Sequence, residues 1–193
     1  EILRCLVGSE MCIRDSHDTD RFLGEGDNLP MLKQASTLLL TTRRIPQLYY
    51  GTEIMMNGVK NKSDGYVRKD FPGGWADDQE TALTAKGRSA IQNDCYNFYK
   101  TILNWRKGND VIAKGSMTQF MVQNGVYAYA RQHEGKTVFV MLNGTNAETV
   151  VPLKFYKEIL KEKQQGKDIL TGKAIIFGKE LKMQPRESLV IEL

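Results

Sequence analysis

Two dipeptides, Asn124-Gly125 and Glu134-Gly135, stand ten residues apart, and the chain around them runs apolar or alternates apolar with polar residues. Turn dipeptides flanked in this way close two-residue β-hairpins. The runs 117–122, 126–132 and 137–142 are therefore read as three strands of an antiparallel meander. A period of two returns at the end of the chain, where Leu189, Ile191 and Leu193 alternate with Ser188, Val190 and Glu192, the pattern of a strand with one exposed face. Short strands are also predicted at 168–170, 174–177 and 180–183, with a helical interruption at 153–163. Residues 111–193 thus read as a small antiparallel β-domain, expected to fold on its own.

Before residue 110 the period is that of a helix. Leu32, Ala35, Leu38 and Leu39 mark one buried face over 29–42, with Asn28 or Asp27 as N-cap, Pro30 in the first turn and Arg43 and Arg44 at the end. The apolar run 45–50, ended by Gly51, is predicted to be a buried strand of a parallel sheet. A helix followed at once by a buried strand is α/β architecture. Residues 54–80 are rich in glycine and aspartate and read as a long loop, of the length that usually carries function or disorder. A second amphipathic helix is predicted over 93–107 from Cys95, Phe98, Tyr99, Ile102, Leu103, Trp105 and Arg106, closed by Gly108.

At 193 residues, with 41% hydrophobic and 26% charged residues, the chain has the composition of a globular protein and enough length for a core. Its net charge of +4 is spread without a block of like charges, so no nucleic-acid partner is expected. No apolar run approaches the ~18 residues of a membrane span, so no membrane partner is expected either. Cys5, Cys12 and Cys95 are odd in number and lack the spacing of a zinc site or redox pair. No disulfide and no metal are expected, and Cys95 falls on the apolar face of its helix.

Residues 1–16, EILRCLVGSEMCIRDS, keep no sustained period and put two cysteines within eight residues. They are read as a non-native leader, with a short native strand at 2–7 as the alternative. The basic start, apolar stretch and cleavage site of a secretory signal are absent from them. The first residue is not Met, so the chain is expected to be a piece of something longer.

Chemistry concentrates at His17-Asp18-Thr19-Asp20-Arg21, where an imidazole, two carboxylates and a guanidinium fall within five residues. Such a cluster binds polar hydroxyls and supports developing positive charge; the competing reading is a cap and solvated turn before the helix. If the sheet is parallel, this cluster and Gly51-Thr52-Glu53 both lie where a strand gives way to its loop, the face on which barrel enzymes build their sites. Trp75 in the long loop is read either as a stacking platform for a sugar ring or as an anchor packed on the barrel rim. Asp64, Asp70, Asp77 and Asp78 match no calcium loop and read as solvated. Glu53 is read as a capping or loop-bonding residue. Tyr127, Tyr129 and Arg131 share a strand face, either a glycan-binding strip or ordinary packing. His133, beside a turn, reads as exposed and inert.

The segments HDTDRF, RIPQLYYGTE and DFPGGW, in that order, resemble the last third of α-amylase-family glycoside hydrolases. The nearest branch is that of the neopullulanases and cyclomaltodextrinases of Bacteroides-type starch utilisation. The resemblance covers residues 17–193. It implies the last two βα units of a (β/α)8 TIM barrel at 17–110, then a C-terminal antiparallel β-sandwich at 111–193. It would make Asp18 the third catalytic carboxylate, stabilising an oxocarbenium-like transition state, with His17, Arg21 and Trp75 binding substrate. The expected substrate is an α-1,4-glucan or maltooligosaccharide, pullulan and cyclodextrins included. No cofactor is implied; calcium would belong to the parent protein, and the resemblance places that parent in the periplasm. Ser16 stands where the family carries asparagine or serine, but carries no information if the leader ends there. The nucleophilic aspartate and general-acid glutamate of the family lie on earlier barrel strands and have no counterpart in this sequence. Retaining hydrolysis needs both, so the chain alone is expected to be inactive. The rival reading is a non-catalytic amylase-like scaffold or carbohydrate-binding protein.

Overall fold

Both hairpin dipeptides adopt the backbone their composition favours. Asn124 and Gly125 have φ of 50° and 78°, Glu134 and Gly135 of 48° and 77°, positive at both central positions as type I′ turns require. In this computed structural model, which describes residues 19–43 and 45–193, these turns organise the β-domain. Strands β1 (Ser116–Gln119), β2 (Val126–His133) and β3 (Lys136–Asn143) form the expected meander. The β2–β3 ladder runs in register from Val126 opposite Asn143 to His133 opposite Lys136.

Five more strands follow: β4 (Thr149–Pro152), β5 (Gln165–Asp168), β6 (Ala174–Ile176), β7 (Glu180–Met183) and β8 (Ser188–Glu192). They make an antiparallel six-stranded sheet of order β1-β2-β3-β8-β5-β6 and a two-stranded ribbon of β4 and β7. The main core gathers Ala128, Ala130, Phe139 and Met141 of the sheet with Val151 and Met183 of the ribbon. Leu153, Tyr156, Ile159 and Leu160 complete it; they come from a 3-10 turn (Leu153–Tyr156) and the short α-helix that follows it (Lys157–Leu160).

The described residues form two compact units: one holds those up to Lys33 together with Ile45–Lys100, the other 34–44 with Thr101–Leu193. In the second unit, Arg131 on β2 is fully buried. Its Nε donates to the Ser116 carbonyl at 3.2 Å, Nη1 to Thr41 at 3.0 Å, and Nη2 to Ile112 and Gly115 at 2.9 and 2.8 Å. Tyr129, one inward-facing position away, shares a hydrogen bond with the Thr41 hydroxyl. Gln34 Nε2 donates to the Asn143 carbonyl at 2.8 Å. The second face of the sheet is therefore covered by 34–44 and by helix Asp110–Lys114. Cutting at 111 would strip Tyr129 and Arg131 of their partners at Thr41.

Helix α1 spans Leu29–Thr41, capped by Asn28, whose Oδ1 accepts from the Met31 amide at 3.0 Å. After the single turn α2 (Asp64–Val67), the helix predicted over 93–107 is α3, spanning Ala90–Arg106. It starts earlier because Ser89 and Gln92 form a reciprocal capping box, Gln92 N to Ser89 Oγ at 3.3 Å and Ser89 N to Gln92 Oε1 at 2.9 Å. Helix Asp110–Lys114 follows, its Val111 and Ile112 amides capped by the Asn109 side chain; its five residues are too few to show a period.

Four expectations are corrected. Residues 45–50 are not a buried strand: 45–49 carry no ladder, and Ile45 is 89% exposed. A parallel strand needs hydrogen-bonded neighbours, and the described residues supply no parallel pair. The strand placed at 168–170 lies at Gln165–Asp168, because the Asp168 side chain folds the next residues into a turn, accepting from the Thr171 amide and hydroxyl at 3.0 and 2.6 Å. Strand β8 buries Val190 as well as Leu189 and Ile191, since both faces of the sheet centre are covered. Tyr129 and Arg131 are buried and bonded internally, so a glycan strip with Tyr127 is excluded and the packing reading holds.

Replacing Arg131 by Met leaves four carbonyls, three of them in buried hydrogen bonds, without this donor. The urea midpoint of the chain is expected to fall by the equivalent of about 3 kcal/mol. A loss below about 1 kcal/mol would show that these carbonyls find other donors.

Candidate functional site

Thr19, Asp20 and Arg21 are the described part of the HDTDR cluster. His17 and Asp18 lie outside the described residues. The Asp20 carboxylate accepts from the Lys60 amide at 2.6 Å. Next to it the Arg21 amide donates to the Gly58 carbonyl at 3.0 Å, and the Gly58 amide to the Gly24 carbonyl at 2.8 Å. The turn at 20–24 is thereby joined, backbone to backbone, to the segment at 58–60.

The Arg21 side chain extends this junction. It is buried, with Nε donating to the Val67 carbonyl at 3.0 Å and Nη1 to the Tyr50 carbonyl at 2.7 Å. Its guanidinium carbon lies 4.7 Å from the Tyr49 ring centroid and 4.9 Å from that of Tyr50. Burying a guanidinium is costly unless its donors are used; carbonyls at Nε and Nη1 and two π faces offset part of that cost here. Arg21 thus acts as a positioning residue, holding the HDTDRF and IPQLYYGTE segments against each other. Burial raises the Tyr49 hydroxyl pKa above its ordinary value, the Tyr50 side chain adding to the rise and the Arg21 charge opposing it.

The turn after Tyr50 depends on glycine. Gly51 has φ of 80°, and a Cβ there would come within 2.2 Å of the Met56 sulfur. Its carbonyl accepts from Ile54 and Met56, closing a 3-10 turn over Thr52–Ile54 in which Glu53 is half-buried. The Thr52 carbonyl accepts from the Cys95 thiol at 3.6 Å. Cys95 is a buried free thiol on α3, as its place on the apolar face implied.

Trp75 is 64% exposed among the described residues. The turn that presents it is held by Asp78, whose Oδ2 accepts from the Gly73 and Trp75 amides at 2.8 and 3.1 Å. Asp64 starts a helical turn (Asp64–Val67) and pairs with Arg68 at 3.2 Å. Among the described residues, no three His, Cys, Asp or Glu side chains converge as a metal site would need. Sequence reasoning missed the roles of Tyr49, Tyr50 and Val67 around Arg21, because backbone carbonyls as partners leave no mark on residue identity.

Comparison with known proteins identifies the class. The α-amylase of Geobacillus thermoleovorans, solved in complex with acarbose, shares the fold with a TM-score of 0.68 over 91% of this chain and 37% of that one, at 22% identity. Residues 117–192 match the family described as the cyclo-malto-dextrinase C-terminal domain. The chain is 29% identical to the α-amylase of Niallia circulans over 174 residues, 86% of this chain and 30% of that protein. To the cyclomaltodextrinase of Thermoanaerobacter pseudethanolicus it is 27% identical over 179 residues, 92% and 27% respectively. These matches support an α-amylase-family C-terminal fragment, with the family's C-terminal domain at 117–192. It spans no more than 30% of the length of these two curated relatives.

Burial pushes the Cys95 thiol up to about 12 from its ordinary 9.0. The folded chain keeps this proton while the unfolded chain releases it from about pH 9 upward. Stability is therefore intact below pH 9 and falls as pH rises through about 12. Between about pH 8 and pH 10 the urea midpoint is expected to fall less steeply in Cys95→Ala than in the parent chain; equal slopes would contradict the buried-thiol account.

Proposed function

We propose that this chain is the C-terminal part of a retaining glycoside hydrolase acting on α-1,4-glucosidic bonds of starch, maltooligosaccharides, pullulan or cyclodextrins. The neopullulanase and cyclomaltodextrinase branch is the nearest. Residues 17–110 would be the last two βα units of its (β/α)8 barrel. The observation that carries the reading is the Arg21 clamp, which joins the two segments that the resemblance sets at the ends of neighbouring barrel strands.

In the complete site, a carboxylate from an earlier strand attacks the anomeric carbon while a carboxylic acid protonates the leaving oxygen. Water then hydrolyses the glycosyl intermediate with the acid acting as base. Asp18 contributes the third carboxylate. Its charge faces the oxocarbenium-like transition state more strongly than the neutral ground state, so it acts mainly on kcat. His17 binds hydroxyls of the same sugar unit. Arg21, bonded to the Tyr50 and Val67 carbonyls, supports the segment that follows these two residues, and exposed Trp75 stacks on a sugar further along the chain of glucose units. Neither the nucleophile nor the general acid is among these residues, so the chain by itself has no turnover.

In the complete protein, Asp18→Asn is expected to lower kcat on maltooligosaccharides by several orders of magnitude while substrate binding persists. A kcat within about tenfold of the parent, some 1.4 kcal/mol on the barrier, would remove Asp18 from the catalytic set.

A further inference from the structure

The second unit holds a groove of about 530 Å³ between the end of α3, the turn into helix Asp110–Lys114, the β2–β3 hairpin and the end of β8, a volume within the ~300–1,000 Å³ of small-molecule sites. We propose that this groove binds a neutral oligosaccharide, with the Trp105 indole as its platform. Trp105 sits three residues beyond buried Ile102 on α3 and is half-buried. Its Nε1 donates to Glu192 Oε1 on β8 at 2.7 Å. That bond ties the indole to a sheet strand and sets its orientation, so little rotamer freedom remains to be lost on binding.

The polar lining selects the ligand class. Asp110, Glu134 and Glu192 and Lys107 and Lys136 all line the groove, with His133 among them. Lys114 adds its charge to Asp110 at 3.1 Å, and His133 Nε2 lies 3.8 Å from Glu134 Oε1. Charges of both signs this close leave no net field to concentrate an anion or a cation. They do supply acceptors and donors together, which a ligand bearing many hydroxyls can use. A pyranose ring presents an apolar C–H face to the indole and hydroxyls around its edge. His133, expected to be inert beside its turn, is one of the lining residues. The choice of an α-glucan as the sugar rests on the proposed function; the preference for a neutral polyol rests on the groove.

The chain contains two tryptophans, so Trp75→Phe leaves Trp105 as its single indole reporter. Maltohexaose titrated into this variant is expected to shift Trp105 emission saturably, with a millimolar Kd. Lys136→Ala, at an exposed position, is expected to weaken that Kd by about fivefold or more while the urea midpoint stays unchanged. Trp105→Phe in the otherwise unaltered chain should weaken maltohexaose binding by calorimetry to a similar degree. Unchanged Trp105 emission at saturating sugar, or a Kd indifferent to Lys136→Ala, would overturn the groove. If the complete protein still hydrolysed maltohexaose, the enzymatic reading would survive that failure.

Discussion

Arg131 is the residue on which the β-bearing unit depends. A guanidinium cannot be deprotonated under ordinary conditions, so its burial obliges the surrounding chain to provide acceptors. Four carbonyls do so, from Thr41, Ile112, Gly115 and Ser116. Two belong to the short helix Asp110–Lys114 and its end, one to the first strand and one to the last residue of α1. The constraint therefore decides which sequence-distant pieces must be present for the sheet to be complete. It explains why 34–44 belongs with 101–193, although residues 45–100 intervene.

The first unit repeats the device with different partners. Arg21 is buried on two aromatic rings and two carbonyls, and Gly58 stitches the same turn through both its amide and its carbonyl. In each unit, a buried arginine sets the relation between segments far apart in sequence. In the first, the segments joined are those that carry the family motifs. The Arg21 Nε and Nη1 donors are both spent on backbone carbonyls, so the contact fixes chain geometry directly.

The hairpins were legible because Asn124-Gly125 and Glu134-Gly135 report their positive φ directly in residue identity. Helix α1 was legible from its period and its Asn28 cap. The start of α3 was written in Ser89 and Gln92, a capping box that periodicity alone passes over. Strand β4 and helix Asp110–Lys114 were not legible, being too short to display a period. Residues 45–50 misled, since a continuous apolar run reads as a buried strand and only neighbouring strands make it one. At the site, the motif was legible through residue types, but Arg21 as a clamp was not: its partners are carbonyls that every residue owns. Tyr127, Tyr129 and Arg131 show the converse, an aromatic and basic stripe whose alternation is the same whether it faces ligand or core.

The central claim is that this chain carries the third carboxylate of a glucan-cleaving centre and lacks the other two. Measuring reducing-end release from maltoheptaose by the purified 193-residue chain, beside the complete protein, tests it most directly. The account predicts release by the complete protein and none above the spontaneous background by the chain. Enzymatic release by the chain alone would contradict it, because the attacking and proton-donating groups would then have to lie within these residues.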